Sequence, residues 1–154
     1  MSTLDSWSPK VLSLLRAVSG LLFLQHGMQK VLNFPPKPPP PVAPAVAAAA
    51  KAVAATAVKA VAAGPSLAKI LGPASGPIEL VGGMLLLIGL FSRAAAFICA
   101  GEMAFAYFMA HAPRGFYPIL NGGDLAIMFC FVFLYLVFSG PGPYSIDALM
   151  KKKA

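Results

Sequence analysis

Charge is scarce in this chain, and negative charge is nearly missing. Of 154 residues, 12 are lysine or arginine and five are aspartate or glutamate, so 11% are charged, against about 25% in an ordinary soluble domain. Such a composition excludes disorder driven by charge and argues against an ordinary soluble enzyme. Only two cysteines occur, Cys99 and Cys130, in separate apolar runs. No paired-cysteine redox motif exists, and both read as buried structural thiols. The histidines, His26 and His111, are also only two, and no helical H-x-x-x-H or E-x-x-H spacing is present, so no metal site is expected. A phosphate loop, a dinucleotide fingerprint and a nucleophile elbow are likewise missing. The net charge of +7 comes with no nucleic-acid recognition motif. The expected partner is a lipid bilayer, with Lys151-Lys152-Lys153 as an anchor facing anionic lipid.

What is abundant is apolar: 58% of the residues are hydrophobic. They gather into runs at 11–32, 77–91, 94–112 and 123–139. A spanning helix needs about 20 mostly apolar residues. The second run rises only about 24 Å as a helix, so it needs a thinner bilayer or extension upstream by residues 66–72. Ser8-Pro9 and Gly76-Pro77 read as helix starts. Asn121 reads as a cap that places Asp124 at the third helical position, and Gly140-Pro141 as a stop. Arg16 interrupts the first run and no small-residue cleavage site follows, so it reads as a retained helix rather than a signal peptide. The expected fold is all-α: an integral membrane four-helix antiparallel bundle. It forms one domain, 1–154, with a low-complexity insertion at 35–75.

That insertion opens with seven prolines between Phe34 and Pro44, which favour an extended polyproline course. Residues 45–63 are almost all alanine and valine, with Lys51 and Lys59 near one face. A short helix in the bilayer interface fits this pattern. A fifth span would place both lysines near its centre at a cost of several kcal/mol. A low-complexity insertion without a role is the other reading.

Ionisable residues inside a membrane are costly and point to function. Counting along antiparallel helices at about 1.5 Å per residue brings His26, Glu79, His111 and Asp124 to similar depth, away from the termini. Gln25, Gln29, Lys30 and Asn121 join them. Arg16 and Glu102 are expected to form a buried ion pair that holds the bundle. Structural alternatives stand beside these readings. Glu79 and Asp124 in first helical turns would complement the helix dipole, and Lys30 would snorkel to the interface. Phe105, Tyr107, Phe108, Phe116 and Tyr117 form either an interfacial aromatic belt or a wall for a flat ring. Gly20 and Gly27, a heptad apart, and Gly82-Gly83 mark places of close helix approach.

In order, the series is Arg16, Gly20, His26-Gly27 and Lys30, then Glu79-Leu80-Val81-Gly82-Gly83, Gly89-Leu90-Phe91-Ser92-Arg93 and Glu102-Met103. His111-Ala112-Pro113, Asn121-Gly122-Gly123 and Gly140-Pro141-Gly142-Pro143-Tyr144-Ser145-Ile146-Asp147 complete it. Over residues 9–34 and 77–150 this resembles the DoxX family of small bacterial and archaeal membrane proteins. The resemblance implies a four-helix bundle in a prokaryotic inner membrane, and the basic tail favours cytoplasmic termini. The family takes its name from a subunit associated with thiosulfate:quinone oxidation, and some relatives are linked to thiol and oxidative-stress systems. Two departures are the long first loop and Asp124, where members often carry glutamate.

Together these observations lead to the expectation of a redox-associated subunit that binds a quinone-like ligand. His26 would hydrogen-bond a quinone carbonyl, and Glu79 or Asp124 would orient or protonate it. Gln25, Lys30, His111 and Asn121 would complete the site. Two rival readings are a scaffold that recruits soluble redox enzymes through the basic loop, and a small proton-coupled transporter.

Overall fold

The computed structural model describes residues 3–36 and 67–152. The described residues form helices and turns, with no strand among them. Helix α1 covers Thr3–Leu32, α2 Leu67–Ile88 and α3 Ser92–Ala106. A π-helical turn at Tyr107–His111 and a 3-10 turn at Ala112–Arg114 continue α3. Then follow the short α4 (Pro118–Asn121), α5 (Asp124–Ser139) and α6 (Ile146–Lys151). The Pro- and Ala-rich stretch from 37 to 66, including Lys51 and Lys59, lies outside the described residues; 67–75, placed in the insertion on sequence grounds, begin α2.

Helix starts differ from the punctuation signals. Ser8-Pro9 does not open α1: the helix begins at Thr3, with Asp5 in its first turn and Pro9 inside. A proline this early removes little beyond one intrahelical bond. Helix α2 likewise begins ahead of Gly76-Pro77 and carries Pro73 and Pro77 internally. Its 22 residues rise about 33 Å, so the upstream extension makes good the short second run. Asn121 does not cap α5. It ends α4, and its Oδ1 accepts the Gly123 N–H at 2.8 Å. Gly123 is the residue before α5, so Asp124 opens the helix and the expected capping box is not formed.

Helices α1 and α2 meet along a glycine seam. A β-carbon at Gly20 would fall 2.6 Å from the Leu87 nitrogen, and one at Gly27 would strike the Leu80 backbone. On the facing side, a β-carbon at Gly83 would lie 2.5 Å from the Leu24 nitrogen. Residue numbers rise on one helix as they fall on the other, so the pair runs antiparallel. Only glycine lets the two backbones come this close. Helix α3 packs on α5 and on α2. Phe23, Leu86, Ala96, Cys99, Phe129, Phe133 and Leu136 are buried between them, with the Phe23 ring edge-on to Phe133 at 4.9 Å.

The outside is apolar as well. Val18, Phe97, Ile98, Phe131 and Phe138 are exposed, a surface suited to hydrocarbon rather than water. Among the described residues, two helices, Leu4–Leu32 and Ser92–Arg114, are long and apolar enough to cross a membrane, and Gly72–Ile88 and Asp124–Ser139 are shorter apolar helices.

One end of this helical body is closed by the Gly140–Asp147 segment. The Arg16 guanidinium, 2% exposed, donates from Nε to the Pro141 carbonyl at 2.8 Å and from Nη2 to Tyr144 at 2.6 Å. Its Nη1 donates to the carbonyls of Leu86 and Leu87 at the end of α2. Helix carbonyls at a C-terminus lack intrahelical partners, and a forked cation supplies them. Asp147 accepts the N–H groups of Phe91 and Ser92, both at 2.8 Å, and so caps α3. Ser145 caps α6 by accepting the Ala148 N–H. Arg93 ties the start of α3 to α5, donating to the Val137 and Phe138 carbonyls. The expected Arg16–Glu102 pair is therefore not made. Arg16 is turned toward backbone carbonyls at the closed end, where its charged neighbour is Asp147. The charged groups acting on Glu102 are Glu79 and Lys30.

Candidate ligand pocket

At the opposite end, the polar residues of three elements face a shared space. His26 and Lys30 sit in the last two turns of α1. Glu79 lies twelve residues into α2, so the first-turn dipole role weighed for it does not apply. Its side chain is 3% exposed. His111 ends the π-helical turn, a local widening that recurs at functional sites. These four side chains line one cavity of about 250 Å³ together with Phe23, Met103, Gly122, Leu125 and Phe129, among others. His26 stands edge-on to the Phe129 ring at 6.2 Å.

Lys30 and Glu79 form the electrostatic centre of the cavity. Lys30 Nζ donates to Glu79 Oε1 at 2.7 Å and to Ser75 Oγ at 3.1 Å. The lysine is 43% exposed and the carboxylate buried. A long aliphatic stem lets Lys30 reach inward to the acid while remaining near solvent or headgroups. Among the described residues, Glu79 Oε2 has no hydrogen-bond partner. A buried acceptor left open costs about 1–3 kcal/mol, so the fold carries a local cost at this oxygen.

His111 is held from behind. Its Nδ1 lies 3.1 Å from the Asn121 backbone oxygen, and its ring stacks on Tyr107 at 6.5 Å between centroids. The Asn121 side chain spans the turn, donating to the Gly115 carbonyl at 2.8 Å and accepting from Gly123. Asn121 thus positions His111 rather than lining the cavity. Asp124 is exposed at the start of α5 and is not among the lining residues, although Leu125 and Ala126 beside it are. Gln25 stands apart too, in a recess of about 150 Å³ with His26, Gln29 and Pro35.

A larger and more apolar cavity of about 450 Å³ adjoins the first, since Lys30 and Ala106 line both. Its walls include Ile78, Ile98, Phe105 and Met109, with Glu102 as their acidic member. Glu102 Oε2 is buried without a partner among the described residues, and the residue interacts electrostatically with Glu79 and Lys30. The sequence reading missed this membership, the Lys30–Glu79 link and the part of Ser75. A register drawn through the glycine seam would have found the link, because pairing Gly27 with Leu80 brings Lys30 within a turn of Glu79.

The DoxX family pattern matches residues 11–112 of the chain, covering α1, the pocket face of α2, and α3 through His111. The chain belongs to the DoxX family. With that membership comes the character of a membrane protein, in keeping with the apolar outer surface. A relative from Haemophilus influenzae, described as an uncharacterized protein, is 38% identical over 156 residues that span 99% of this chain and 100% of the relative. No solved structure matches. The pocket of this DoxX protein therefore has to be interpreted from its own chemistry.

Proposed function

We propose that this DoxX protein crosses a prokaryotic inner membrane as an antiparallel four-helix bundle and acts as a redox-associated subunit that binds a quinone-class ligand. Cytoplasmic termini would set Lys10, Arg93 and the terminal lysines on the inner side. The observation that carries the ligand reading is the pair of adjoining cavities. The first is small and the more polar of the two, at about 250 Å³, below the range of about 300–1,000 Å³ usual for larger ligands. A single ring suits it. The second, at about 450 Å³ and walled by Ile78, Ile98, Phe105 and Met109, suits an isoprenoid tail.

Within the first cavity, Phe23 and Phe129 offer apolar contact for a flat ring. His26 would hydrogen-bond a ring oxygen. Glu79 is the acid within the cavity that would exchange a proton with the ligand, since proton-coupled redox chemistry needs such a group beside the ring. Asp124, the other acid considered from the sequence, lies outside the lining and has no part in this proposal. Purifying the full-length protein and extracting bound quinone tests the reading. The expected result is quinone above the level of the accompanying lipid, reduced in His26→Ala. Wild-type protein with no quinone beyond its lipid would defeat it.

A further inference from the structure

We infer that the cavity selects the reduced, dihydroxy form of such a ring over the oxidised dione; the inference rests on the ring-binding reading above. It comes from the hydrogen-bond polarity of two lining residues. Glu79 Oε1 is paired with the Lys30 ammonium at 2.7 Å in a salt bridge. Its Oε2 is unpartnered on a side chain 3% exposed. A carboxylate oxygen can only accept.

His111 has the same polarity for a different reason. Its Nδ1 faces a backbone carbonyl at 3.1 Å, and a carbonyl can only accept. Nδ1 therefore carries a hydrogen, and in the neutral form of the ring Nε2 is then an acceptor. Both residues line the 250 Å³ cavity. Two of the three Lys30 hydrogens are committed to Ser75 and Glu79.

The residues that line the cavity thus include two acceptors that lack donors, beside one Lys30 hydrogen left over. A dione carries only acceptors at its ring oxygens, so it would set lone pair against lone pair at Glu79 and His111. A quinol has an O–H at each end of its ring and can donate to both. Leaving a buried acceptor unpaired is the larger energetic fault, and it falls on the dione.

The test is titration of the detergent-purified full-length protein, without oxygen, with a decyl-chain benzoquinol and with the matching benzoquinone. The quinol is expected to bind at least about tenfold more tightly. Glu79→Gln, which puts an N–H donor into the site, should weaken the quinol and strengthen the quinone, whereas His111→Phe should weaken the quinol and leave the quinone nearly unchanged. The two replacements act on different helices, so one remains informative where the other fails to fold. Quinone binding as tight as quinol binding would overturn the inference and leave the ring-binding reading in place. Binding of neither ligand by the wild type would overturn both.

Discussion

The two polar ends of this protein hold buried charge in opposite ways. At the Arg16 end, Nε, Nη1 and Nη2 of the cation all have carbonyl partners, and the Gly140–Asp147 segment closes over them. At the Lys30–Glu79 end, one carboxylate oxygen is paired and the other is open, and Glu102 adds a second open oxygen. A saturated charge stabilises and leaves nothing for a ligand. An open one costs stability and keeps binding capacity. The difference separates a saturated end from an open end, joined by an apolar core cluster.

That contrast is most directly broken at Arg16. Arg16→Ala should cost roughly 3–5 kcal/mol, because it strands buried carbonyls of α2 and of the closing segment. Thermal unfolding in detergent measures this, and Arg16→Lys should restore little, since an ammonium lacks the fork. A loss under about 1 kcal/mol would show that the closed end is not a structural centre.

The seam between the two ends comes next. Gly27→Ala should cost about 1–3 kcal/mol as its methyl forces α1 from the Leu80 backbone. The same substitution should disturb the pocket, because Lys30 lies one turn further along. Quinol binding measured beside stability would show both effects.

Asp147 sharpens the comparison through pH. Burial opposes its ionisation, but the Ser92 and Phe91 amides and the nearby Arg16 charge outweigh that and hold the carboxyl below its usual value. Its contribution is therefore complete above the ordinary carboxylate pKa of about 4. It is lost as pH falls through the lower folded value. Asp147→Asn should cost about 1 kcal/mol at neutral pH through the weakened cap and should flatten the acid limb of the stability curve. An unchanged acid limb would remove Asp147 from this role.

Glu79→Gln should have the smallest effect on stability, within about 1 kcal/mol. Lys30 is 43% exposed and can turn outward when its partner is neutral, so no charge is stranded. A loss as large as that of Arg16→Ala would erase the distinction between the ends.

Much of this was legible in the chain, and the parts that were not share a cause. The apolar runs correspond to α1, α2, α3 and α5 because long apolar stretches favour helices whatever their neighbours. Gly20 and Gly27 announced the seam, since only a close approach explains glycine at that spacing. Depth counting brought His26, Glu79 and His111 to one level, and they share a cavity. It failed for Arg16 and Glu102, because depth says nothing about which way a helix is turned. It also grouped Asp124, which lies outside the lining, with His26, Glu79 and His111. Local helix-start signals misled at Pro9 and Pro77, where propensity yielded to longer helices that tolerate an internal proline.

By itself, then, the sequence determined the helical class, the apolar surface and the small set of residues able to do chemistry, because these follow from composition and run length. The tertiary structure alone decided which charges meet. Lys30 pairs with Glu79 across 49 residues of chain, and Arg16 is withdrawn to carbonyls 70 to 128 residues away. Those pairings depend on the rotation of each helix about its axis. That rotation is set by the fit of the glycine seam and the phenylalanine core between helices, not by any segment read alone.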